Sequence, residues 1–166
     1  VRTSVGMVFQ QPRDQFVAST VAADVAFGPE NLGLDHDEID RRVRRALDAV
    51  NLAEQRDARI DSLSGGEQAR LAIAGALAME PAYLVLDEPF ASLDEPARRS
   101  VLDRLCDLHE RETGVIVVTH DLRGVLAPAD RLLGMADGEI VVDTPAQEAS
   151  RALEDLDVYL PPASEW

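Results

Sequence analysis

Two adjacent acids, Asp87 and Glu88, close the apolar run YLVLD (83–87). An Asp at such a strand end can hold Mg2+, directly or through water, and so neutralise phosphate charge. The next residue faces differently, and a Glu there can orient and deprotonate an attacking water. A solvated strand end that happens to be acidic is the plainer account of the same pair. Upstream, LSGGE (63–67) places Ser64, Gly65, Gly66 and Glu67 at a helix start. Free backbone N–H groups and the helix dipole favour an anion there. An ordinary Ser N-cap with glycines for a tight entry explains the segment equally well. His120 follows the run VIVVT (115–119) and precedes Asp121. An imidazole there can hydrogen-bond a terminal phosphate, although a lone His is more often structural. Gln10 ends the first apolar run, and its amide can accept from a water and coordinate a cation. Gln11 and Gln15 offer the same chemistry. His36 and His109 lie in surface-helix contexts and receive no role.

The elements that must position these groups alternate in type. Residues 4–9 (SVGMVF) read as a short strand, and residues 10–34, with Pro12, Gly28, Pro29 and Gly33, as loop-rich. Asp35 and Glu38 form an acidic capping box for a helix whose apolar stripe is Ile39, Val43, Leu47 and Val50. Its other face carries Arg41, Arg42, Arg44 and Arg45, a run that reads as solvated. Ser64 caps a second helix, from about residue 66 to 79, stopped before Pro81. The runs 83–87 and 115–119 suit strands buried on both faces of a parallel sheet. Between them a third helix follows Asp94, with Val101, Leu102, Leu105 and Leu108 inside and Gly114 at its end. LLGM (132–135), a turn at Asp137-Gly138 and EIVVD (139–143) form a hairpin, and a short helix with an acidic end follows. Strand, helix, strand implies an α/β sheet with right-handed crossovers. Ligands bind such sheets beyond the carboxyl ends of the strands, where Asp87, Glu88 and His120 fall.

The chain has 166 residues, enough for one domain with a sizeable core. Its net charge of -15 excludes the basic face of a nucleic-acid binder and docking on anionic lipid by charge alone. All 16 basic residues are arginine, against 31 acids. This composition fits either a salt-rich cytoplasm, where screening removes self-repulsion, or a GC-rich genome. The single cysteine, Cys106, excludes an internal disulfide and a Cys-based metal site. No apolar run reaches the roughly 18 residues of a membrane span, and no signal peptide is visible. The expected place is the cytosol, with any membrane association made through a partner.

Taken together, VFQQP (8–12), LSGGEQ (63–68), YLVLDEP (83–89), SLD (92–94) and VTHD (118–121) resemble the nucleotide-binding subunits of ABC transporters. They look like that family's Q-loop, signature, Walker B, D-loop and H-loop, in order and at family-like spacing. The resemblance implies an α/β, P-loop NTPase-type parallel sheet with an inserted α-helical subdomain. It implies a single partial domain over 1–166: a Q-loop and helical signature lobe at about 11–80, a catalytic core at about 81–143 and a tail at 144–166. It also implies roles. Gln10 would sense Mg2+ and the attacking water. Ser64, Gly65, Gly66 and Glu67 would grip ATP bound to the opposite protomer. Asp87 would support Mg2+, Glu88 would be the catalytic base, Asp94 would reach across the dimer, and His120 would contact the γ-phosphate. Glu67 departs from the family's commonest Gln. ATP and Mg2+ are the implied cofactors. The implied partners are a second ATPase subunit and transmembrane transporter subunits, at the cytoplasmic face of the cell membrane, with neither nucleic acid nor direct membrane insertion.

The stretch 10–34, above all DVAFGPENLGL (24–34), looks like the ATPases of energy-coupling-factor importers, which take up vitamins or transition metals such as cobalt and nickel. The family's Walker A loop, GxxxxGK[ST], requires a lysine, and this chain has none. The resemblance places that loop before Gln10, so an N-terminally truncated domain is expected, missing its first strands and inactive alone. Two other readings remain: a non-catalytic remnant, and a DNA-repair ATPase. The latter carries a long coiled coil between Q-loop and signature, whereas 53 residues without sustained heptads separate Gln10 from Ser64 here.

Overall fold

The short apolar runs pair as expected into a parallel sheet. A computed structural model describes residues 5–149. In it β1 (Val5–Val8), β2 (Tyr83–Asp87) and β3 (Gly114–Val118) form a three-stranded sheet in the order β1-β2-β3. The register sets Val8 beside Leu86, and Asp87 beside Val118. Side chains alternate across a strand, so Val8, Leu84 and Leu86 share a buried face. The opposite face is not buried in this chain. Val5, Met7, Tyr83, Ile116 and Val118 are each about half exposed on it. The expectation of strands covered on both faces therefore fails for the described residues. The helices α3 (Gly65–Ala78) and α4 (Glu95–Glu110) meet the sheet through β1 and β3.

A further helix, α1 (Val21–Asn31), occupies the region read as loop. Its buried residues Val21, Val25 and Pro29 follow a four-residue spacing, which is one helical face. Pro29 stands in the last turn of α1. Gly28 is there for contact, not for a turn: a Cβ on it would lie 2.2 Å from the Met79 sulfur at the end of α3. The glycine lets the two helices approach. Before α1, Pro12–Gln15 make a single 3-10 turn.

The helix α2 (His36–Ala49) starts where the capping signal put it, but only half of the box forms. Asp35 accepts from the Glu38 N–H at 2.9 Å. The Glu38 carboxylate goes instead to Arg42 and Arg41. Nor is the arginine face merely solvated. Arg42 is mostly buried, pairs with Glu38 and Glu80, and donates to the Ala78 carbonyl at the C-terminus of α3. Such a cation satisfies end carbonyls and suits the negative end of the helix dipole. Val43, Leu47, Leu71 and Ile73 join α2 and α3 to the core around α1.

Asp94 caps α4, accepting from the Ala97 N–H at 3.0 Å. Gly114 does not end that helix, since it opens β3. A Cβ on it would fall 2.4 Å from the Tyr83 ring. The reversal is made by Glu112, whose φ is 65°.

Contacts divide the chain into a unit ending at Thr119 and a second unit from His120 onward. The second holds the expected hairpin, β4 (Arg131–Ala136) and β5 (Glu139–Pro145). Its turn has positive φ at both Asp137 (51°) and Gly138 (83°), as a two-residue turn matching strand twist requires. Leu122, Leu126, Ala146 and Ala149 form a small core in this unit. The tail expected over 144–166 lies, beyond Ala149, outside the described residues.

Candidate functional site

The register brings chemistry to one edge. Gln10 lies just beyond the carboxyl end of β1, Asp87 and Glu88 at that of β2, and Thr119 at that of β3. Asp87 is the last paired residue of β2 and shares the open sheet face with Val118. Glu88 then leaves the strand with φ at 46°, in the left-handed region. That conformation costs a side-chain-bearing residue on the order of 1 kcal/mol. It is held by two bonds to the neighbouring strand end. The Glu88 N–H donates to the Val118 carbonyl at 2.8 Å, and the Thr119 hydroxyl donates to Glu88 Oε2 at 3.0 Å. The turn therefore re-aims the second acid relative to the first, and neither the strand pattern nor the apolar run revealed it. Gln10 is exposed. His120 follows Thr119 directly as the first residue of the second unit.

The signature segment is a helix N-terminus with a complete capping box. Ser64 Oγ accepts from the Glu67 N–H at 3.3 Å. In return, the Glu67 carboxylate accepts from the Ser64 N–H (2.8 Å) and the Ser64 hydroxyl (2.7 Å). Those bonds, the hydroxyl's first, hold the Glu67 carboxyl below its ordinary range. The capping reading of LSGGE is thus correct, and it leaves room for the other. A Cβ at Gly65 would meet nothing within 4 Å, so no packing among the described residues explains that glycine. A Cβ at Gly66 would stand 3.2 Å from the Ser92 carbonyl, which sets the signature against the loop 92–94 that ends in Asp94.

A second connection ties the segment after Gln10 to the signature. The backbone of residues 19–22 bonds that of residues 56–60, and Thr20 bridges Arg59. Arg13 donates to Gln68 Oε1 at 2.9 Å. Gln68 is 5% exposed, and its amide donates to the Ile60 and Leu63 carbonyls, both at 3.2 Å. Sequence reasoning singled out neither Arg13 nor Gln68 for a role. A polar Gln inside the apolar stripe of α3 was the available signal. Thr119 was also missed, although it sits inside VTHD.

The donors fit the groups that such an edge would take. Gly65 supplies an unhindered backbone approach, and the N–H groups of Gly65 and Gly66, ahead of the capped Glu67 N–H, precede the intrahelical ladder, as an anionic phosphate requires. No cluster of three or more acidic, His or Cys ligands exists among the described residues. Mg2+ needs none, because it is held through one or two carboxylates plus phosphate oxygens and water. Asp87 fits that part.

A parallel sheet with acids at a strand end and a glycine-led helix N-terminus is an α/β arrangement that suits nucleotide binding. A family model described as ABC transporter matches residues 1–91. A putative ABC transporter ATP-binding protein of Halobacterium salinarum is 61% identical over 96% of this chain and 69% of its own length. The chain belongs to the ABC transporter ATP-binding family. An energy-coupling factor transporter ATP-binding protein of Caldanaerobacter subterraneus is 45% identical over 94% of the chain and 56% of its own length. Among solved structures, cbiO1 of Clostridium perfringens, part of the transporter complex cbiONQ, matches with TM-score 0.78 and 36% identity, over 89% of this chain and 59% of that one. A dimeric ATP-binding cassette bound to ADP and Pi matches with TM-score 0.78 and 28% identity. The chain thus spans between about half and about two thirds of the length of these relatives.

Proposed function

We propose that this chain is the signature- and carboxylate-bearing part of an importer ATPase, coupling ATP hydrolysis to uptake of a transition metal ion or a vitamin. The observation that carries the reading is the strand-end edge, where Gln10, Asp87 and Glu88 stand beyond adjacent parallel strands. Asp87 supports Mg2+ on the phosphates, and Glu88, re-aimed by its turn, draws a proton from the attacking water. Gln10 reports on that water and the cation, and His120 contacts the γ-phosphate. Ser64, Gly65, Gly66 and Glu67 close on ATP held by a second ATPase subunit, with Asp94 across the same interface. Relatives named for energy-coupling factor transport and for cobalt import support the cargo class. No helix among the described residues is long and apolar enough to cross a membrane. The subunit docks on transmembrane partners at the cytoplasmic face.

Uptake of labelled cobalt, nickel and vitamins, compared between cells carrying the complete gene and its Glu88→Gln version, tests this reading. One of these uptakes is expected to vanish at unchanged protein level. Equal uptake of all of them would overturn it.

A further inference from the structure

The geometry points to Thr119 as a positioning residue for hydrolysis, acting through Glu88 and resting on the reading of Glu88 as the base. An ionised carboxylate only accepts, so the hydroxyl at 3.0 Å from Glu88 Oε2 is the donor. That bond engages Glu88 Oε2 and restricts the torsions of the side chain. A Glu side chain otherwise has three rotatable bonds, each with staggered alternatives. The backbone adds a second point: the Glu88 N–H donates to the Val118 carbonyl at 2.8 Å. Backbone and side chain of Glu88 are therefore both referenced to the same dipeptide at the end of β3. Thr119 itself is placed by β3, whose pairing with β2 runs to Asp87 and Val118. The base is thus held to the frame that holds the Mg2+ ligand beside it, across a strand pair instead of along a loop. A base misplaced by about 1 Å loses on the order of 100-fold in rate. Loss of a single tether that leaves the backbone anchor in place should cost less than that.

The test uses the complete subunit assembled with its partners. Thr119→Val keeps the shape and removes the donor, while Thr119→Ser keeps the donor. Turnover with Val is expected to fall about 10-fold, with KM for ATP and the affinity for a fluorescent ATP analogue unchanged. Ser is expected to restore turnover to within about threefold. Adding Thr119→Val to Glu88→Gln is expected to cost nothing more, because the hydroxyl acts through that carboxylate. If Thr119→Val does not fold, Thr119→Ala is read the same way. The inference is overturned if Val turns over like wild type while Glu88→Gln is dead. It is equally overturned if Val weakens ATP binding in parallel with turnover, or if the double variant falls below Glu88→Gln. Active Glu88→Gln, by contrast, would remove the reading of Glu88 as the base.

Discussion

Replacing Gln68 by Leu should cost this protein more than its surface-facing partner Arg13 suggests. The amide makes three hydrogen bonds, and they are unequal. Arg13 is exposed and will find water when Gln68 Oε1 is lost. The Ile60 carbonyl keeps the Leu63 N–H at 3.2 Å, but the Leu63 carbonyl, on a residue 8% exposed, loses its donor to an apolar side chain. A buried acceptor left without a partner costs about 1–3 kcal/mol. The bond to Leu63 is long at 3.2 Å, which places the cost near the low end. The expected loss is about 1 kcal/mol, read from urea unfolding of the complete subunit at unchanged m-value. Arg13→Ala should cost below about 0.5 kcal/mol, as an exposed surface substitution does. Gln68→Glu should be at least as damaging as Leu. It keeps the acceptor for Arg13 but sets a carboxylate against two carbonyl oxygens. A loss for Gln68→Leu below about 0.5 kcal/mol, or equal costs for Gln68→Leu and Arg13→Ala, would refute this account of the link between the Gln10 segment and the signature.

Glu67 makes part of the stability pH-dependent. Its carboxyl is held below the ordinary value of 4.5, first by the Ser64 hydroxyl and then by the Ser64 N–H. A depressed folded value means that the stabilisation is complete above about 4.5 and is lost as pH falls through the lower folded value. Glu67→Gln should therefore show a shallower acid-side loss in unfolding titrations, and an unchanged slope would contradict the assignment. Salt should matter as well. With a net charge of -15, the complete protein should melt at lower temperature in dilute buffer than in multimolar KCl, and equal melting would remove the salt-adaptation reading. The Halobacterium salinarum relative, 61% identical, is consistent with that expectation.

Much of the fold was legible because its signals are local. Ser64, Asp35 and Asp94 each cap the helix they were read to start or precede, and Asp137-Gly138 turns the hairpin. What escaped depends on distant partners. Gly28 looked like a breaker and proved to be a helix contact, because Met79 lies far along the chain. Gly114 looked like a helix stop, but the Tyr83 ring on the neighbouring strand explains it. Pro29 masked α1, since a proline in the last turn reads as a loop until the buried Val21 and Val25 are seen behind it. At the candidate site the acids and the signature were visible as types and spacings. The left-handed turn at Glu88 and its tether to Thr119 were not, because neither follows from hydrophobic period or residue class.

Glu88 is proposed as the base of an ATPase assembled around this chain. The most direct measurement is steady-state ATP turnover of the complete subunit with its partners, wild type against Glu88→Gln, with nucleotide binding recorded on the same samples. Removing a general base lowers turnover by about 100-fold or more. That loss is expected with ATP binding retained, and turnover by Glu88→Gln close to wild type would remove Glu88 from the role of base.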